Sequence, residues 1–184
     1  PIVRVNSQSG KGGVAFIMET YFGYKLPKAM HKEFADVIQA LSEKQGEVAP
    51  DQIMEEFKRS YIERKEPLHF KKCKFEDMGH EDGCTHAVVH YTDHGVEKSF
   101  EAVGNGPIDA VLNGLHKELN VNIKILDYTE HALSSGAGAH AAAYVHMLDM
   151  NTGKATFGVG VSSNITRASI RAIFSAMNRL GIGQ

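Results

Sequence analysis

The chain has 184 residues, of which 42% are hydrophobic and 23% charged, and a formal net charge of -2 at neutral pH. This is a globular composition with ample length for a core, and a net negative chain lacks the basic face with which proteins release counterions from nucleic acid. No apolar run nears the roughly 20 residues that span a bilayer, and Cys73 and Cys84 are expected as reduced thiols in a cytoplasmic protein, since so large a core needs no disulfide.

In chain order, Pro1-Ile2-Val3-Arg4-Val5 reads as a strand already under way without an initiator methionine, as in a fragment of a longer polypeptide. Ser7-Gln8-Ser9-Gly10-Lys11-Gly12-Gly13 resembles a phosphate loop at first sight. A Walker A loop needs glycine five residues before the Gly-Lys pair and Ser or Thr after it, and Val5 and Gly12 stand there instead. Three helical stripes follow. Val14, Ile17, Met18, Tyr21 and Phe22 form the first, stopped by Gly23; Met30, Phe34, Val37, Ile38 and Leu41 form the second, before Gly46. The third starts near Pro50, suited to a first helical turn, and runs through Ile53, Met54, Phe57 and Tyr61. The charged run Glu63-Arg64-Lys65-Glu66 before Pro67 places a domain boundary there, so residues 1–66 form a mostly helical subdomain.

From Leu68 the period becomes that of strands. Lys71–Glu76 reads as a strand, Thr85–Thr92 and Val96–Val103 as a hairpin, and Pro107–Leu119 as a helix. The second set is Asn122–Asp127, a long loop through Ala139, then Ala139–Met150, Lys154–Val161 and a helix from Ile165 to Leu180. Much of the first set recurs fifty-eight residues later: Val96–Val103 answers to Lys154–Val161, Ala110 to Ala168, and Asp93-His94-Gly95 to Asn151-Thr152-Gly153. The fold class is therefore α+β, with residues 67–184 forming two pseudo-symmetric βββα units, about 68–120 and 121–184.

Chemistry concentrates at the unit junctions. Gly104-Asn105-Gly106-Pro107 opens a helix whose first N–H groups and dipole would attract a carboxylate or phosphate; the plainer reading is a well-capped turn without a ligand. The loop from Tyr128 to Ala139 is rich in small residues and could close over a compact ligand, or be a surface connector. Glu130 and His131 have no accompanying nucleophile, so no catalytic residue is assigned. Cys84, His86, His90 and His94 lack the tight Cys/His spacing of a zinc site, and no metal ligands or cofactor are assigned.

Several longer runs resemble one family. Arg4-Val5-Asn6-Ser7-Gln8-Ser9-Gly10-Lys11-Gly12-Gly13-Val14-Ala15 is similar to the segment after the catalytic barrel in the longer form of 2-isopropylmalate synthase. Gly104-Asn105-Gly106-Pro107, Leu126-Asp127-Tyr128-Thr129-Glu130-His131-Ala132, Ala141-Ala142-Ala143-Tyr144-Val145 and Gly158-Val159-Gly160 resemble that enzyme's regulatory domain. The resemblance implies a linker subdomain and an allosteric module that binds L-leucine for feedback inhibition at a homodimer interface. It also implies a partner TIM barrel, absent here, which would hold a divalent metal and condense acetyl-CoA with 2-oxoisovalerate. Matched by motif, the effector site falls on Gly104, Asn105, Gly106, Ile108 and Asp109, and on Ile125, Tyr128, Ala132, Ala139 and Val161. Asp109 stands where the family commonly has a small apolar residue; a carboxylate there could take the effector's ammonium group, as could Asp127 or backbone carbonyls, or could alter which amino acid fits. Ile125, Ala132 and Ala139 could line a pocket for the isobutyl group. One methylene is worth about 1–3 kcal/mol in such a pocket, so isoleucine, the effector of related citramalate synthase domains, stays open, as does a dimerisation module without an effector.

Overall fold

The computed structural model describes residues 11–79, 83–133 and 140–184. The readings of Pro1–Val5 as a strand and of Ser7–Gly10 as a loop lie outside these residues, as does part of the first run resembling the family.

Helices α1 (Lys11–Phe22), α2 (His31–Gln45) and α3 (Pro50–Phe57) come first. Gly23 stops α1 at φ 76, with its N–H on the Glu19 carbonyl, and Gly46 ends α2 at φ 87. Both are conformations that β-carbons disfavour. Pro50 opens α3, where the Gln52 side chain accepts the Ala49 N–H at 2.8 Å. The third helix differs from its expected form, for it passes at Lys58 into a π-turn that ends at Ile62. Tyr24, Phe34, Phe57 and Tyr61 pack in one aromatic cluster with ring centroids 5.1–5.8 Å apart.

Strands β1 (Leu68–Asp77), β2 (Thr85–Asp93) and β3 (Val96–Gly104) form one antiparallel sheet, followed by α4 (Pro107–Leu119). Strands β4 (Ile123–Ala132), β5 (Ala141–Asp149) and β6 (Ala155–Ser162) form a second, followed by α5 (Ile165–Arg179). The two βββα units are therefore present. Their likeness extends to detail: each first strand bulges at its fourth residue, between Phe70 and Lys72 and between Ile125 and Asp127. In each unit a helix side chain also donates to the same strand carbonyl. Asn113 reaches the Val103 oxygen at 2.9 Å and Arg171 the Val161 oxygen at 2.6 Å, each pair fifty-eight residues from its counterpart.

Three readings need correction. The first strand runs longer at both ends than Lys71–Glu76. The hairpin turns, matched by sequence as equals, differ: His94-Gly95 is a two-residue turn with both φ values positive, whereas the longer segment Met150–Lys154 separates β5 from β6. The expected loop from Tyr128 to Ala139 begins too early, because Tyr128–Ala132 continue β4, paired with Val145–Ala141. As an edge strand with much of its surface in solvent, that stretch carries polar residues at successive positions and has no apolar alternation to betray it.

The two sheets are buried differently. The outer face of the first presents Lys72, Lys74, Glu76, His90 and Glu101 to solvent, which fits the alternating sequence of β3. The second is covered on both faces, and β5 is accordingly an almost unbroken apolar run. Its Ala143, Val145 and Met147 meet α4, α5 and the first sheet in one core, while Ala142, Tyr144, Phe157 and Val159 join the helical segment in another. Helix α5 lies so close on β6 that a β-carbon at Gly158 would sit 2.1 Å from the Ala172 oxygen, and one at Gly160 2.0 Å from the Ala168 oxygen. In the first unit the sizes are exchanged: Phe100 occupies the strand position, and Gly114 on α4 makes room for it.

Candidate functional site

The junction between β3 and α4 is a closed turn. A β-carbon at Gly104 would stand 2.4 Å from the Ala110 nitrogen and 2.6 Å from Asp109 Oδ2, so only glycine fits there. Asp109 Oδ2 accepts the Asn105 N–H at 2.8 Å, and the Gly106 oxygen accepts the Ala110 N–H at 2.9 Å. Gly106 itself is fully extended at the helix N-cap, ahead of Pro107. Asp109 is thus folded back onto its own turn, with one carboxylate oxygen engaged. Ile108 leaves the turn toward the shared core, against which Ile125 of β4 also packs.

The bulge at Leu126 resets the alternation of β4, so that Ile125, Tyr128, Glu130 and Ala132 share the face turned toward α5, opposite Met147, Val145, Ala143 and Ala141. Tyr128 is 38% exposed. Its oxygen lies 2.6 Å from Ser169 Oγ on α5, and its hydroxyl donates to Glu130. Burial, followed by the bond to Glu130, pushes the Tyr128 phenol up to about 12. Leu126, two residues before Tyr128, is 45% exposed, and Ile165, one helical turn before Ser169, is 38% exposed.

The next face of β4 looks the other way. His131 stacks on Tyr144 with centroids 5.5 Å apart. Its Nδ1 lies 2.9 Å from the Ala132 oxygen, and Nε2 accepts the Lys25 N–H at 3.1 Å and meets the Tyr144 hydroxyl at 2.9 Å. This is the neutral tautomer with the proton on Nδ1, and it ties β4 to the segment after α1. A second tie is Glu33 of α2, which accepts from the Tyr61 hydroxyl at 2.9 Å and from Thr156, and lies 4.0 Å from the Arg179 guanidinium. That guanidinium stands 3.9 Å over the Tyr61 ring.

The expected site residues therefore fall into groups. Gly104, Asn105, Gly106 and Asp109 build one turn; Ile108 and Ile125 meet the same core; Tyr128 and Ala132 share a strand face with Ile125. Val161 is not brought to them: it pairs with Ala142 and packs into the helical core on the opposite face of the second sheet. Asp127 likewise pairs with His146 on the face away from Tyr128. Ala139 lies outside the described residues. An open groove of about 690 Å³ between β3 and α4 is lined by His86, Phe100, Val103 and Gly114 and contains none of these positions. Ser169 escaped the sequence reading because only tertiary packing brings it to Tyr128. Glu130 could have been found from its i, i+2 relation to Tyr128, had this stretch been read as strand. Among the described residues no three His, Cys, Asp or Glu side chains are grouped to hold a metal, and no helix is long and apolar enough to cross a membrane.

Residues 47–181 match the family described as the LeuA allosteric (dimerisation) domain. The 2-isopropylmalate synthase of Clostridium acetobutylicum is 43% identical over 182 residues, which are 97% of this chain and 32% of that protein. Those of Brucella suis and Mycobacterium leprae are each 38% identical over 97% of this chain, covering 32% and 29% of their own lengths. The chain thus spans about a third of the length of the curated relatives it matches. A match across nearly three quarters of the chain, on a scaffold of two βββα units, places this protein in the LeuA allosteric (dimerisation) domain family.

Proposed function

We propose that this chain is the effector-sensing region of a 2-isopropylmalate synthase, binding L-leucine to shut down the first committed step of leucine synthesis. The observation that carries the reading is the similarity over 97% of the chain to 2-isopropylmalate synthases. The parent protein condenses acetyl-CoA with 2-oxoisovalerate on a metal-dependent barrel, works in the cytoplasm, and pairs through this region as a homodimer. The region itself performs no chemistry. Leucine's carboxylate takes N–H groups in the first turn of α4, and its side chain lies against Ile108, Ile125 and Ala132, with Tyr128 at the rim. Inhibition then follows from differential affinity of leucine for two arrangements of the helical segment, a coupling of about 1–3 kcal/mol in typical allosteric proteins.

Isothermal titration of the dimeric chain with leucine, isoleucine and valine tests this. Saturable heat with leucine, tighter than with the other two, is the expected result. A tighter isoleucine isotherm would move the assignment to a citramalate-type domain, and no heat with any of the three from folded dimer would leave only a dimerisation module.

A further inference from the structure

An amino-acid effector brings an ammonium group that takes a carboxylate or backbone carbonyls. Of the two acids that sequence offered for it, Asp109 spends Oδ2 on the Asn105 N–H of its own turn and keeps Oδ1, and Asp127 faces His146 across the sheet from Tyr128. A third acid, Glu130, stands beside Tyr128. It lies two residues beyond Tyr128 on the same face of β4, and the Tyr128 hydroxyl bonds to Oε2. Among the described residues no cation pairs with it, so Oε1 is left to solvent.

We infer that Glu130 is the carboxylate that receives the ammonium group of an α-amino acid effector, held in place by Tyr128 and, through Tyr128, by Ser169. This rests on the effector reading given above and adds to it the residue that distinguishes an amino acid from a plain branched-chain acid. Ser169 is 2% exposed and its Oγ lies 2.6 Å from the Tyr128 oxygen; spending its one proton on that oxygen leaves the phenol proton for Glu130. Tyr128 in turn restricts a side chain that would otherwise sample many rotamers. A charge held this way loses little entropy on meeting an ammonium, and hydrogen bonds between ions are about twice as strong as neutral ones.

The test compares leucine with isocaproate, the same acid without its amino group, on the 184-residue wild-type chain and on Glu130→Gln. Glutamine keeps an oxygen for the Tyr128 hydroxyl and removes only the charge. The expected result is a loss of about tenfold or more in leucine affinity (about 1.4 kcal/mol), with isocaproate affinity unchanged, so that the gap between the two ligands narrows in the variant. In the wild-type chain, the carbon NMR shift of the Glu130 carboxyl should move with leucine and stay still with isocaproate, a readout that does not depend on the variant folding. Equal leucine affinity in wild type and Glu130→Gln, or a Glu130 carboxyl indifferent to leucine, overturns this inference while leaving the effector reading intact. A wild-type chain that binds no amino acid overturns both.

Discussion

Gly160→Ala should be among the most damaging single-methyl additions to this protein, and the reason can be worked through from the packing of α5 on β6. The added carbon would lie 2.0 Å from the Ala168 oxygen and 2.6 Å from the Ala172 nitrogen. Ordinary contacts begin at 3.4 Å, so the helix must retreat by more than an ångström, and the obstructing atoms are backbone that no rotamer change can clear. Overpacking a core costs about 1–3 kcal/mol, and a clash with backbone belongs at the upper end. At about 2–4 °C per kcal/mol for a chain of this size, about 3 kcal/mol lowers the melting temperature by about 6–12 °C. The displaced part of α5 also carries Ser169, so the 2.6 Å contact to Tyr128 opens; on the effector reading proposed above, leucine affinity then falls several-fold in whatever fraction remains folded. Gly114→Ala is the control. There the nearest atoms, at 2.1 and 2.4 Å, belong to the Phe100 ring, which borders the open groove beside α4 and can shift toward it, so about half the loss is expected. Calorimetric scans of both variants decide the matter. A Gly160→Ala protein that melts within about 2 °C of wild type, or below which Gly114→Ala falls, refutes the account of a helix seated directly on the strand backbone.

Other expectations follow from the joints between elements. Asn178 is fully buried and accepts the Leu68 N–H at 3.0 Å while donating to the Arg64 and Leu68 oxygens at 2.7 and 2.8 Å; Asn178→Ala strands these groups and is expected to cost about 3 kcal/mol in urea denaturation, against little for Asn113→Ala at the surface. For Glu56, burial raises the carboxyl, but bonds from Arg59 and Ser60 outweigh it and leave it below its ordinary value of 4.5. Its stabilisation is therefore complete above the unfolded value and lost as pH falls through the folded one. Glu56→Gln should be less stable than wild type by about 1 kcal/mol near pH 7, and the difference should shrink as the pH drops below about 4.5, as denaturation at stepped pH would reveal. His131→Ala removes the acceptor for the Lys25 N–H and the Tyr144 hydroxyl; about 1–2 kcal/mol of stability is expected to go, with faster amide exchange at Lys25.

Much of the fold was legible because it repeats. Period-two alternation in β3 and the apolar stripes of α2 and α4 are local signals, and the fifty-eight-residue offset made each unit corroborate the other. The hairpins misled because an offset that fits the β3 and β6 strands absorbs the difference in turn length without trace. The candidate site was half legible. The Gly104–Asp109 turn needs glycine for a local steric reason, so the sequence exposes it. Tyr128 was found through family resemblance and placed in a loop, since an edge strand that bulges at Leu126 follows no simple period.

Composition, periodicity and repetition by themselves determined the α+β class, the two βββα units and the turn where β3 becomes α4. Those features depend on steric and burial preferences that act within a few residues of one another. Only the tertiary structure decided which face each residue serves: that Tyr128 and Glu130 look toward α5, that His131 and Val161 look toward the helical segment, and that Ser169 closes on Tyr128 from forty-one positions away. A strand presents alternate residues to opposite sides, and a single bulge exchanges those sides for everything beyond it. Which side becomes the site is fixed by what packs against the sheet, and no local run of residues encodes that.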